Sequence, residues 1–126
     1  TGISGAIGYS SVLAASNLNA KCIIAPSMSG ATARVVSKFK PKTEIIGVSP
    51  NGASLRRMQI YWGVRPMKSI EVHTTEDICS SAIDLVTAKQ VVETGDVVIL
   101  TAGIPSPTAV GMSKGVSNMM RIAVVD

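Results

Sequence analysis

The stretch CIIAPSMSGATARVVSKFKP, residues 22–41, sets the fold class. Cys22-Ile23-Ile24-Ala25 is a short, wholly apolar run stopped by Pro26, the pattern of a strand covered on both faces. Ser27-Met28-Ser29-Gly30 reads as a turn. In residues 31–39, Ala33, Val36 and Phe39 fall on a common side. Lys38 and Lys40 stand in or near the last turn and Pro41 just beyond, which are helix stop signals. Strand, turn and helix therefore follow within twenty residues.

The same unit recurs outward from this stretch. Ile45-Ile46-Gly47-Val48-Ser49 is a second strand, broken at Pro50-Asn51-Gly52, with a short helix predicted over 53–61 and an extended segment over 64–70 around Pro66. Thr75-Glu76-Asp77 starts the longest helix, in which Ile78, Ala82, Leu85 and Val86 recur at helical spacing; Gly95 sits past its end. Residues 96–101 form a third buried strand, and a loop rich in Pro, Gly and Ser (104–117) leads to a final strand over 121–125. Upstream, residues 3–17 are small and apolar with helical spacing, closed by Asn17 and Asn19. Strands alternating with helices of about ten residues predict a doubly wound α/β sheet. The last connection carries no helix, so the last strand is expected to run antiparallel at or near an edge.

The composition agrees with one α/β domain over residues 1–126. The chain is 46% hydrophobic and only 16% charged, with a mean hydropathy of +0.36, which excludes a disordered chain. No apolar run approaches the roughly 18 residues that span a bilayer, so no membrane segment is expected. Cys22 and Cys79 lie in apolar patterns without metal spacing and read as buried thiols of a cytoplasmic protein. No secretory signal is visible. The start at Thr1 instead of Met suggests a piece of a longer protein.

Charge is unevenly distributed. Residues 21–68 hold nine Lys/Arg against Glu44 alone, whereas residues 69–126 hold three against seven acids. No aromatics interleave with the basic residues as stacking platforms, which argues against nucleic acid. A site for a small phosphorylated ligand accounts for the asymmetry more simply.

Familiar catalytic patterns are missing. No GxGxxG follows a strand and no GxxxxGK[ST] occurs. The lone His73 lies beside Thr74 and Thr75 in a helix-entry loop and reads as a surface or capping residue. Glu76, Asp77 and Asp84 sit where acids start a helix or face solvent. No catalytic residue and no metal site is expected. Trp62 reads as a core or helix-end anchor.

The best candidate site is the turn after the first strand. Free N–H groups at a helix start point toward negative charge, Ser27, Ser29 and Thr32 add hydroxyls, and Gly30 permits close approach of the backbone. The alternative is that Ser29 merely caps its own helix. The loop 101–118 follows another strand end and belongs on the same rim, offering Gly103, several hydroxyls and Lys114 as its cation; the alternative there is a plain surface loop.

Taken together, AKCIIAPSMSGATARVVSKFKP, EIIGVSPN, YWGVRPM and GDVVILTAG resemble the C-terminal domain of pyruvate kinase of bacterial type, in the same order and over essentially the whole chain. The resemblance implies a three-layer αβα sandwich with a five-stranded mixed sheet. It also implies an effector-binding and assembly role, a tetrameric parent, and phosphoryl transfer from phosphoenolpyruvate to ADP in a barrel absent from these residues. The Mg²⁺ and K⁺ of that chemistry would serve the parent, with no cofactor in this chain. Carried over by position, Ser27, Ser29, Gly30 and Thr32 match the family's phosphate-holding turn. Met28 and Ala31 depart from it, although the Ala31 backbone stays within the turn. The loop matching 102–118 lacks the Trp and Arg found in members regulated by fructose 1,6-bisphosphate, which favours a sugar monophosphate or AMP. Two other readings stand beside this one: a purely structural subunit-interface module without a ligand, and a stand-alone phosphometabolite-binding protein.

Overall fold

The computed structural model describes residues 2–103 and 119–126. Its elements are α1 (Gly2–Leu18), β1 (Cys22–Pro26), α2 (Ala31–Ser37), β2 (Glu44–Ser49), α3 (Gly52–Met58), β3 (Val64–Lys68), α4 (Thr75–Ala88), β4 (Val97–Ala102) and β5 (Met119–Val124). The five strands form one sheet in the order β3-β2-β1-β4-β5. β1 pairs in parallel with β2 and β4, and β2 with β3. β5 runs antiparallel to β4 at the edge, as the sequence pattern implies.

Alternation along each strand divides the core into two layers. Cys22, Ile24, Ile46, Val48, Val98 and Leu100 face α4, packing against Cys79, Ala82 and Val86. Ile23, Ala25, Ile45 and Ile99 face the other way, against Ala15 of α1, Ala33 and Val36 of α2, and Met58 of α3. Helices on both faces of a mixed sheet make the three-layer sandwich. Ile23, Ile24, Ile45, Ile46, Ile99 and Leu100 are fully buried, each contributing about 1.5–3 kcal/mol.

Close contacts rest on small residues. Gly8 lets α1 approach α2, for a Cβ there would lie 2.9 Å from Val35 Cγ1 and 3.2 Å from Phe39. Beside this contact the Tyr9 and Phe39 rings meet at 5.9 Å. A Cβ at Gly47 would collide with the sulfur of Met58, so α3 sits directly on β2.

Several ends differ from the sequence expectations. α2 stops at Ser37, capped by Lys38, because Lys40 takes a left-handed φ of 49° that turns the chain away. α3 ends at Met58, since the chain turns through Gly63 at φ 70° before entering β3. β3 ends at Lys68 and β5 begins two residues earlier than expected. Trp62 is not in the core: it is half-exposed, and its carbonyl accepts a 2.6 Å hydrogen bond from Ser37 Oγ.

Strand order fixes where a site can form. From β1 the chain steps outward through α2 to β2 and through α3 to β3, with both helices on one face. It then returns through α4, on the opposite face, to β4 on the other side of β1. The strand order reverses between β1 and β4, and the crevice outside their C-terminal ends is where open α/β sheets receive ligands.

Candidate functional site

A cavity of about 260 Å³ opens at this position. Pro26, Ser27 and Met28 bring the end of β1 to it, and Ala102 and Gly103 the end of β4. Val48 and Pro50 form its floor at the end of β2. Residues 69–73 after β3 make one wall, and Ile78, Ser81 and Ala82 of α4 the other.

The turn is held by its own hydroxyls. Ser27 Oγ accepts from the Gly30 and Ser29 N–H groups at 3.1 and 3.3 Å, and Ser29 Oγ accepts from Ala31 N–H at 3.2 Å. The two hydroxyl oxygens also lie 3.5 Å apart, so that one donates to the other and the second hydroxyl keeps its proton for an incoming oxygen. Gly30 is the N-cap residue of α2, at φ 83° and without a side-chain cap. A Cβ there would meet Met58 Cγ at 3.0 Å, so glycine serves backbone geometry and packing against α3.

α3 clamps the turn from outside. Ser54 Oγ donates to the Met28 carbonyl at 2.6 Å and Ser49 Oγ to the same oxygen at 3.3 Å. Arg57 Nη2 donates to Ser29 O at 3.1 Å and to Ser54 Oγ at 3.0 Å. Asn51 starts α3 by accepting from the Ala53 and Ser54 N–H groups, which sets Ser54 and Arg57 on the side of the turn.

The expected site residues separate into groups. Ser27 and Gly103 line the cavity; Ser29, Gly30 and Ala31 continue the adjoining turn. Thr32 does not line it. It is fully buried in α2, and its Oγ1 has no hydrogen-bond partner among the described residues. Thr101 is buried in the same way. Lys114 and most of the loop 101–118 lie outside the described residues.

Sequence reasoning missed the clamp and the far wall. Ser54 and Arg57 gave no signal because their contacts span 26 and 28 residues. Glu71 and His73 also line the cavity, with His73 Nε2 3.6 Å from Glu71 Oε2. The His73 side chain is exposed, as expected, and Thr74 rather than His73 caps α4. The thiols are buried as expected: desolvation pushes Cys22 up to about 12 and raises Cys79. Among the described residues, no three His, Cys, Asp or Glu cluster to hold a metal ion, and no helix is long and apolar enough to cross a membrane.

A mixed, doubly wound sheet with helices on both faces and a cavity at its reversal point defines a three-layer α/β domain. Residues 5–123 match the family model of the pyruvate kinase alpha/beta domain, and the chain belongs to that family. It is 37% identical over 125 residues to a pyruvate kinase from Staphylococcus saprophyticus and 38% identical to one from Geobacillus stearothermophilus. Each match covers 99% of this chain and 20% of the relative, so the chain spans about one-fifth of these relatives' length. Among solved structures, Cryptosporidium parvum pyruvate kinase in complex with ADP superposes with a TM-score of 0.84 at 28% identity, covering all of this chain and 24% of that one.

Proposed function

We propose that this domain is a regulatory module that binds a phosphorylated small molecule at the cavity and takes part in subunit assembly. The observation that carries the first part is the position of Ser27, whose hydroxyl is held in the turn, in the wall of a cavity at the sheet's reversal point. Arg57, fastened to the turn, adds positive charge nearby, and residues 21–68 are strongly basic. A sugar monophosphate or AMP suits a site of this size better than a large polyanion. In the whole enzyme, phosphoryl transfer from phosphoenolpyruvate to ADP would be the work of other residues, with Mg²⁺ and K⁺ serving that chemistry there. Cys22 and Cys79 are free buried thiols, which fits a cytoplasmic protein.

Assembly is supported by the contrast between the sheet's two edges. β3 carries Arg65, Pro66 and Lys68, residues that discourage edge pairing. β5 has Arg121 as its lone charge, and Ile122 and Val124 are 49% and 61% exposed. α1, which packs over β4 and β5, is uncharged along its length and exposes Ile3 and Leu18. A second copy of this chain, offering the same apolar edge, is the partner this surface fits. Thermal denaturation of the chain with and without ribose 5-phosphate or AMP tests the ligand reading. Stabilisation that Ser27→Ala abolishes supports it, and an unchanged midpoint with every phosphate ester contradicts it.

A further inference from the structure

The described wall of the cavity holds no lysine or arginine. Its charged and titratable groups are Glu71 and His73, both on the segment after β3. Val48, Pro50, Ile70, Val72 and Ile78 make the surface between them and the turn largely apolar. β2 separates β1 from β3, so strand spacing places the turn and the Glu71 segment about 10 Å apart across the rim. A small ligand seated on the turn spans that distance. At the far end a carboxylate repels a second phosphate and accepts hydrogen bonds from hydroxyl or amino groups.

We propose that Glu71 is the specificity-determining residue of this cavity. It admits a monophosphate whose far end carries hydroxyl or amino donors and turns away a bisphosphate. This rests on the reading of the turn as the phosphate-holding end. His73 Nε2 lies 3.6 Å from the Glu71 carboxylate on the same segment.

Isothermal titration of the full chain with AMP, ribose 5-phosphate and fructose 1,6-bisphosphate tests the proposal, using the wild type, Glu71→Gln and Glu71→Lys. Glu71 is exposed and makes no core contact, and circular dichroism of each variant checks its fold. The wild type should bind one or both monophosphates at least about tenfold more tightly than the bisphosphate. Glu71→Gln should bring that ratio within about threefold, and Glu71→Lys should reverse it. A wild type that binds the bisphosphate as tightly, or a ratio unmoved by Glu71→Gln, overturns the proposal. If Ser27→Ala weakens a monophosphate while Glu71→Gln changes nothing, the role of Glu71 falls and the turn survives. If no phosphate ester binds the wild type, both fall.

Discussion

Arg57 Nη2 donates a 3.1 Å hydrogen bond to the carbonyl oxygen of Ser29, fastening the last turn of α3 to the loop between β1 and α2. The same nitrogen donates to Ser54 Oγ, and Ser54 in turn holds the Met28 carbonyl. Three side-chain hydrogen bonds thus fix a turn that helical propensity alone leaves loose. Arg57→Ala should lower stability by about 1 kcal/mol and weaken phosphate-ester binding several-fold. Arg57→Lys should restore little, because a single ammonium on a flexible stem cannot reproduce the planar fork. Urea denaturation and titration calorimetry on the three proteins check both effects.

Gly30 gives a sharper test of the same contact. Its φ of 83° and the 3.0 Å approach of Met58 Cγ act together against any side chain. Gly30→Ala should cost about 1–3 kcal/mol. Trimming the neighbour in Gly30→Ala with Met58→Ala relieves only the packing part. The double substitution should therefore cost less than the sum of the two single ones, a coupling that a double-mutant cycle measures directly.

Much of this was legible in the sequence, and the reasons are local. The strands at Cys22, Ile45 and Val97 announce themselves because they are buried on both faces and carry unbroken aliphatic runs. The antiparallel direction of β5 follows from the absence of a helical pattern in the sequence before it, since a parallel partner needs a long crossover. Helix ends differ by two or three residues at α2 and α3: the apolar spacing continues through Phe39 and Tyr61, past the last helical residues Ser37 and Met58 and up to the left-handed Lys40 and Gly63. The turn at Ser27 was visible as a strand-to-helix junction. Its clamp from Ser54 and Arg57, and the Glu71 wall, depend on tertiary contacts between segments more than 25 residues apart. No periodicity encodes those. Thr32 shows the converse, a hydroxyl that spacing assigns to the turn and packing buries in α2.

The thiol at Cys22 predicts a pH dependence. Its pKa rises from 9.0 to about 12 through burial first, with Glu44 adding to the effect. Below pH 9 the thiol is protonated in folded and unfolded chains alike and exerts no pH effect. Between pH 9 and about 12 the unfolded chain alone loses the proton, so stability falls as pH rises through that window. Cys79 shifts in the same direction. Urea midpoints between pH 9 and about 11 should decline more steeply for the wild type than for Cys22→Ala. Equal slopes would show that Cys22 ionises as easily folded as unfolded.

The unguarded edge at β5 predicts a second copy. Ile122→Lys and Val124→Lys place charge on side chains already exposed to solvent, so the fold should change by less than about 0.5 kcal/mol. Sedimentation should nevertheless shift each toward monomer, whereas Lys68→Glu, at an exposed position on the opposite edge strand, should leave association unchanged. A wild-type chain that is monomeric at high micromolar concentration contradicts this reading.

The most direct test of the central claim is the thermal midpoint of the chain titrated with AMP and with ribose 5-phosphate. At about 100 times its dissociation constant, a ligand bound only to the folded state adds about 2.7 kcal/mol. For a chain of this length that raises the midpoint by roughly 10 °C. The account predicts a saturable rise of this order with at least one of the two, lost in Ser27→Ala. A midpoint that neither moves, or a rise that Ser27→Ala retains in full, would contradict it.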